Sequence, residues 1–208
     1  MDQSQKAVSV FDKVAQLYQD KYMNVDLYAT GLDLLCDLLP PNAHILELAC
    51  GPGNVTRYVL DKRPDLQIVG TDLAPNMLKL AQSNNPEARF EIMDCRDIPT
   101  RESNYDAIIF AFCLPYTSKN ETLKMITDAA RKTNPNGLIY ISTIEDNYTQ
   151  SRLMTGSTGD QIFIHFHESG YLVEALEHAG FAIKHLERIR YQSGENDITD
   201  LIIVAQKQ

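Results

Sequence analysis

The residues best suited to chemistry gather where apolar segments end. Ile45-Leu46-Glu47-Leu48-Ala49-Cys50-Gly51-Pro52-Gly53-Asn54 runs from a buried-strand pattern through an acid into a glycine turn. Gly51 and Gly53 carry no side chain, so a ligand can approach the backbone there. A helix opening after them presents free N–H groups and a positive dipole end, which suits an anionic ligand group. The next apolar segment, Ile68-Val69-Gly70-Thr71, ends in Asp72, nineteen residues beyond Gly53. A carboxylate at that place can accept both hydroxyls of a ribose. Further along, Tyr116, His165 and His167 are side chains able to accept or relay a proton.

Two ribose-bearing cofactor types fit a glycine turn followed by such an acid: nicotinamide dinucleotides and S-adenosylmethionine. The dinucleotide fingerprint wants a third glycine or alanine three residues after the second. Thr56 stands there, so the fingerprint fails, and Glu47 before the turn is not part of it.

These residues need a scaffold, and the hydropathy pattern describes one. Val8, Phe11, Val14, Ala15 and Tyr18, then Leu27, Gly31, Leu34, Leu35 and Leu38, recur at three- and four-residue spacing, a helical period that Pro40-Pro41 ends. Short apolar strands are expected over Ala43 to Leu48, Leu66 to Thr71, Arg89 to Met93, Tyr105 to Phe112 and Leu138 to Ile144. Helices are expected from Asn54, as cap, to Asp61, from Pro75 to Ser83, and beyond the Ser118–Glu121 capping box. Asn134 to Gly137 reads as a turn and Glu145 to Ile164 as a loop over the site. His167 to Ala179 reads as a helix ended by Gly180, and Phe181 to Tyr191 and Ile198 to Ala205 as closing strands. Strands alternating with helices imply an α/β fold, a doubly wound, mostly parallel sheet with helices on both faces. Only Ser193-Gly194-Glu195-Asn196 joins the last two strands, so that pair is expected to be an antiparallel hairpin. No linker divides the chain, and 1–208 reads as one domain, with 1–41 a helical cap and 42–208 a Rossmann-like core.

At these residues the sequence resembles the class I S-adenosylmethionine-dependent methyltransferases. Glu47 to Gly53 looks like their first motif, and Gly70-Thr71-Asp72-Leu73-Ala74-Pro75-Asn76-Met77-Leu78 like their second-strand motif. Met93-Asp94-Cys95, Tyr105 to Phe112 and Asn136 to Ser142 look like the segments at their third, fourth and fifth strands. The resemblance runs from about Phe11 to the C-terminus and implies a seven-stranded sheet whose last strand is antiparallel.

It also implies roles. Glu47, Ala49, Gly51 and Gly53 would surround the methionine part of S-adenosylmethionine. Asp72 would bind the ribose hydroxyls, and Leu73 would pack on the adenine. Asp94 would accept the adenine amino group beside the Cys95 N–H. Ala111 and Phe112 would floor the site near the sulfonium, and Tyr18 and Tyr22 would belong to a segment folded over cofactor and substrate. The product would be S-adenosylhomocysteine.

Methyl transfer from a sulfonium is an in-line displacement in which the cofactor supplies the activated electrophile. The protein must align the acceptor, and a base is needed only where the acceptor loses a proton. Tyr116, His165 and His167 are the candidates, with Tyr116 also a substrate wall. Amide and exocyclic-amine methyltransferases carry Asn/Asp-Pro-Pro-Tyr/Phe after the fourth strand; here Cys113-Leu114-Pro115-Tyr116 replaces it. That departure argues against a nucleic-acid base or glutamine amide and for a small-molecule acceptor.

Composition agrees. Nineteen Lys+Arg against 28 Asp+Glu leave a net charge of −9, which repels phosphate backbones and anionic lipid heads. Neither a nucleic-acid nor a membrane partner is expected. Cys36, Cys50, Cys95 and Cys113 are scattered without zinc spacing, so no metal site is read and reduced thiols in a cytoplasmic protein are expected. A non-catalytic cofactor-binding partner subunit and a nicotinamide-dependent oxidoreductase are the alternatives.

Overall fold

The computed structural model describes residues 3–156, 158–193 and 196–208. The N-terminal forty residues fold as three helices, α1 (Gln3–Lys13), α2 (Ala15–Tyr22) and α3 (Ala29–Leu38), with a 3₁₀ turn at Asp26–Tyr28 before the last. Leu39 is already extended (φ −76°, ψ 137°), as a residue before Pro40 should be.

Strands and helices then alternate: β1 (His44–Leu48), α4 (Asn54–Lys62), β2 (Gln67–Asp72), α5 (Pro75–Asn84), β3 (Arg89–Ile92), β4 (Tyr105–Ala111), α6 (Lys119–Lys132) and β5 (Thr133–Ile144). The chain closes with β6 (Arg152–Thr155), β7 (Gln161–Ile164), α7 (Ser169–His178), β8 (Phe181–Ser193) and β9 (Asn196–Lys207). The main sheet has seven strands in the order β3-β2-β1-β4-β5-β9-β8. β1 to β5 pair in parallel, while β9 runs antiparallel to both β5 and β8. The Gly194-Glu195 turn of the expected hairpin lies outside the described residues.

The central strands are apolar on both faces because helices cover both. Ile45, Ala107, Ile109, Leu138, Tyr140 and Ile202 face Leu32, Leu35, Val55 and Val59 of α3 and α4. The alternate residues Leu46, Ile108, Phe110, Ile139, Ile141 and Ile203 face Met125, Ile126, Ala129, Leu172 and Leu176 of α6 and α7. This period-two partition is what continuous apolar runs become in a parallel sheet.

Several local expectations change. Gly53, in the left-handed region at φ +77°, caps α4, while Asn54 is its first residue and accepts the Val55 N–H. The expected turn at Asn134–Gly137 is a bulge within β5: between the Tyr105–Thr133 and Ala107–Leu138 pairs, β5 advances farther than β4, with Asn136 at φ +62°. The expected loop at 145–164 holds a two-stranded β6–β7 hairpin. The capping box is as read: Ser118 Oγ accepts the Glu121 N–H, and Glu121 accepts the Ser118 N–H at 2.8 Å.

Candidate active site

β1 and β4 are neighbours from which the sheet winds outward in opposite directions, the switch point where such sheets bind ligands. Both strands end in strained backbone. Ala49 after β1 has φ +50° and Phe112 after β4 has φ +53°, unusual for side-chain-bearing residues. Gly51, at φ +55°, continues the turn; a Cβ there would meet only Tyr18 Cε1, at 3.8 Å. The turn thus leaves open backbone facing a cleft.

Asp72, ending β2, organises that turn. Its Oδ2 accepts the Gly51 N–H at 2.9 Å and its Oδ1 accepts the Ala74 N–H at 2.8 Å. Burial raises its carboxyl above the usual range despite these N–H groups. Each oxygen keeps a lone pair for a further donor. Asp94, beyond β3, accepts the Arg96 guanidinium through both oxygens, Nε–Oδ1 at 2.9 Å and Nη2–Oδ2 at 2.6 Å. Burial works against its charge, but this fork prevails and holds the carboxyl below the usual range.

A cleft with about 770 Å³ of empty space joins these ends. Its walls include Ala49, Gly51, Asp72, Leu73, Asp94, Cys95, Ala111 and Phe112. Eight of the ten expected cofactor residues are therefore brought together. Glu47 and Gly53 are not in the wall. Glu47 is fully buried beneath the turn, bonded to Thr56 Oγ1, with Oε1 unpartnered and burial raising its carboxyl to about 7. Gly53 serves packing: a Cβ there would meet the Asn85 amide and stand 3.2 Å from Ala81.

The roof is α1 and α2. Val8, Phe11 and Tyr18 line the cleft, and the Phe11 ring meets Tyr116 at 5.0 Å and Tyr18 at 5.7 Å. Tethers fix it. Asp12 accepts the Asn76 N–H at 2.7 Å, and Lys13 pairs with Asp160 at 2.9 Å on the far side. Tyr22 is outside the cleft wall, its ring 4.7 Å from Tyr18 and 43% exposed.

The three proton-transfer candidates separate. Tyr116 lines the cleft and also a second pocket of about 380 Å³, which His165 lines too. Burial raises the Tyr116 phenol well above its ordinary range, so it stays neutral. Burial lowers His165, whose Nδ1 faces Tyr148 Oη at 3.4 Å. His167 does not join them. It is fully buried, its Nε2–H donates to the Leu114 carbonyl at 2.8 Å and its Nδ1 accepts from Tyr171. With both nitrogens engaged and burial lowering it to about 4, it is a structural residue, which corrects its expected catalytic place.

Some site residues were not singled out from the sequence. Arg96 carried a local signal, a cation two residues after an acid, and Ser118 and Glu121 were read only as a helix start. Phe163 and Ser4 carried none, because the β6–β7 hairpin and α1 meet only in the fold.

A family described as "Methyltransferase domain" matches residues 45–137, the stretch from β1 to the bulge of β5. Trans-aconitate 2-methyltransferase of Variovorax paradoxus is 34% identical over 85 residues, 41% of this chain and 33% of that protein. Demethylmenaquinone methyltransferase of Thermotoga maritima is 29% identical over 112 residues, 51% of this chain and 48% of that one. The chain thus spans less than half the length of these two relatives. Its fold is shared with the 1,6-didemethyltoxoflavin-N1-methyltransferase of Burkholderia thailandensis: TM-score 0.72, 20% identity, 98% of this chain and 88% of that one.

Proposed function

We propose that this chain, a member of the class I S-adenosylmethionine-dependent methyltransferases, transfers the methyl group of S-adenosylmethionine to a small-molecule acceptor. The observation that carries the reading is the Asp72–Gly51 bracket, an acid and a bare glycine turn joined by a hydrogen bond at the switch point of the sheet. The donor set fits the cofactor: a buried carboxylate with lone pairs to spare for a ribose diol, open backbone at Gly51, and Leu73 in the wall for an adenine face.

When bound, S-adenosylmethionine supplies the activated methyl group. Asp72 holds the ribose hydroxyls. Asp94, steadied by Arg96, accepts the adenine amino group beside the Cys95 N–H. Ala49 and Gly51 face the methionine part, with Glu47 supporting the turn from below. Ala111 and Phe112 floor the cleft near the reacting centre. The roof of Phe11 and Tyr18 excludes water, and positioning of this kind can supply on the order of 7–11 kcal/mol. Tyr116 walls the acceptor side, and His165 Nε2, which bonds to no described residue, takes the acceptor's proton where one is lost. Among the described residues no helix is long and apolar enough to cross a membrane. With a net charge of −9, a small molecule remains the acceptor the surface favours over nucleic acid, and the cytoplasm the compartment that fits.

The test is incubation with methyl-labelled S-adenosylmethionine and a protein-free extract of small molecules. Label appearing in a low-mass product, and suppressed by S-adenosylhomocysteine, is the expected result. Cofactor bound but label never transferred would mean a binding module instead.

A further inference from the structure

The second pocket adjoins the cofactor cleft, since Ser4, Ala7 and Tyr116 line both. Its outer walls come from two other places, the β6–β7 hairpin with Phe163 and His165, and the start of α6 with Ser118 and Glu121. The Phe163 and His165 rings lie 4.8 Å apart, tilted by 58°, so they offer apolar faces and one ring-nitrogen bonding point. Ser4 and Ser118 add hydroxyls, and Ser118 Oγ already donates to Glu121 Oε2 at 2.7 Å.

Charge decides what such a pocket accepts. Among the described residues lining the two cavities, the carboxylates are Asp72, Asp94 and Glu121, and the sole permanent cation is Arg96. Arg96 is committed between two of those acids, at 2.6 Å to Asp94 and 2.8 Å to Glu121. Of the nearby lysines, Lys13 pairs with Asp160, Lys119 lies over the Tyr171 ring at 4.3 Å, and Lys6 is exposed and outside both cavity linings. Among the described lining residues the one permanent cation is already committed to two acids, so a carboxylate-bearing ligand would meet net negative charge in a half-buried space where an unpaired charge is costly.

Resting on the cofactor reading above, we propose that this pocket holds the methyl acceptor and selects an uncharged, planar, hydrogen-bonding ring over a carboxylate-bearing one. Phe163 holds the ring by its face, Ser4 and the His165 Nε2 meet its polar edge, and the excess negative charge of Asp94 and Glu121 over Arg96 repels anions.

The test uses probes matched in ring and size, an uncharged amide against its carboxylate: nicotinamide against nicotinate, and 4-hydroxybenzamide against 4-hydroxybenzoate. Each is titrated by NMR into the full chain saturated with S-adenosylhomocysteine. The amides are expected to bind at least tenfold tighter than their carboxylates. Phe163→Ala, which lies outside the cofactor cleft, should weaken the amides at least fivefold while S-adenosylhomocysteine affinity is unchanged. Glu121→Gln keeps a glutamine able to close the capping box but removes the negative charge, leaving Arg96 held by Asp94. It should shrink the amide–carboxylate gap at least threefold. Carboxylates binding as tightly as amides, an unchanged gap in Glu121→Gln, or no binding of either class to loaded protein would overturn the proposal. Failure to load S-adenosylhomocysteine at all would instead overturn the cofactor reading, and this proposal with it.

Discussion

Asp72 Oδ2 accepts the backbone N–H of Gly51 at 2.9 Å, so the acid that ends β2 also shapes the glycine turn that follows β1. One side chain sets the turn and lines the cleft. Asp72→Asn keeps the shape but replaces one acceptor oxygen with a donor. A hydrogen bond to a charged group contributes about 1.5–3 kcal/mol. The variant is therefore expected to bind S-adenosylhomocysteine roughly 10- to 100-fold more weakly by calorimetry, with its circular dichroism spectrum retained.

Gly53 sits in the same motif yet has a different task. At φ +77° and with Ala81 3.2 Å from a would-be Cβ, Gly53→Ala must strain the turn and push α4 from α5. Overpacking of this kind costs about 1–3 kcal/mol. The melting temperature should fall, and a melt scan of the variant beside the wild type reads it.

His167 gives stability a pH dependence of known sign. Burial lowers its folded-state pKa to about 4, below the ordinary 6.5. The unfolded chain therefore binds a proton that the folded chain refuses between those values. The contribution is fully present above about pH 6.5 and is lost as pH falls toward 4, on the order of 3 kcal/mol in all. His167→Gln removes the titration. It should be less stable than wild type at pH 7.5, and the difference in urea unfolding should narrow as pH drops from 6.5 to 4.5. A constant difference would mean that His167 does not titrate in this way.

Polar tethers at its edge hold the roof to α5. Asp12 accepts both the Asn76 N–H at 2.7 Å and its side-chain amide at 3.1 Å. Asp12→Ala should loosen α1 over the cleft. Amide hydrogen exchange in α1 is expected to quicken while that of β1 and β4 stays slow, since opening would be local.

Much of this arrangement was legible because short-range chemistry wrote it. Gly51 and the capping acid Glu121 are set by turn and cap rules that act within a few residues, while Asp72 stands at the readable end of the next apolar segment. Four of the five parallel strands announced themselves as apolar runs between helices, β3 being a short alternating segment, and the short link after β8 predicted its antiparallel partner. What stayed hidden depends on long-range packing. That Gly53 faces Ala81 rather than a ligand, and that His167 is pinned by Leu114 and Tyr171 while His165 opens on a pocket, follows only from how α5, β7 and α7 seat. On a regular strand two histidines two residues apart would share a face; here the chain leaves β7 at Ile164, and their different surroundings are set by packing that sequence spacing does not show. The β6–β7 hairpin was read as a loop because its strands are only four residues each.

We read the cleft over β1, β2 and β4 as an S-adenosylmethionine site. Calorimetric titration of the full chain with S-adenosylmethionine, S-adenosylhomocysteine and NAD tests it most directly. Micromolar binding of both sulfur cofactors at one site per chain, with no heat from NAD, is the predicted result. Binding of NAD, or of none of the three, would contradict it.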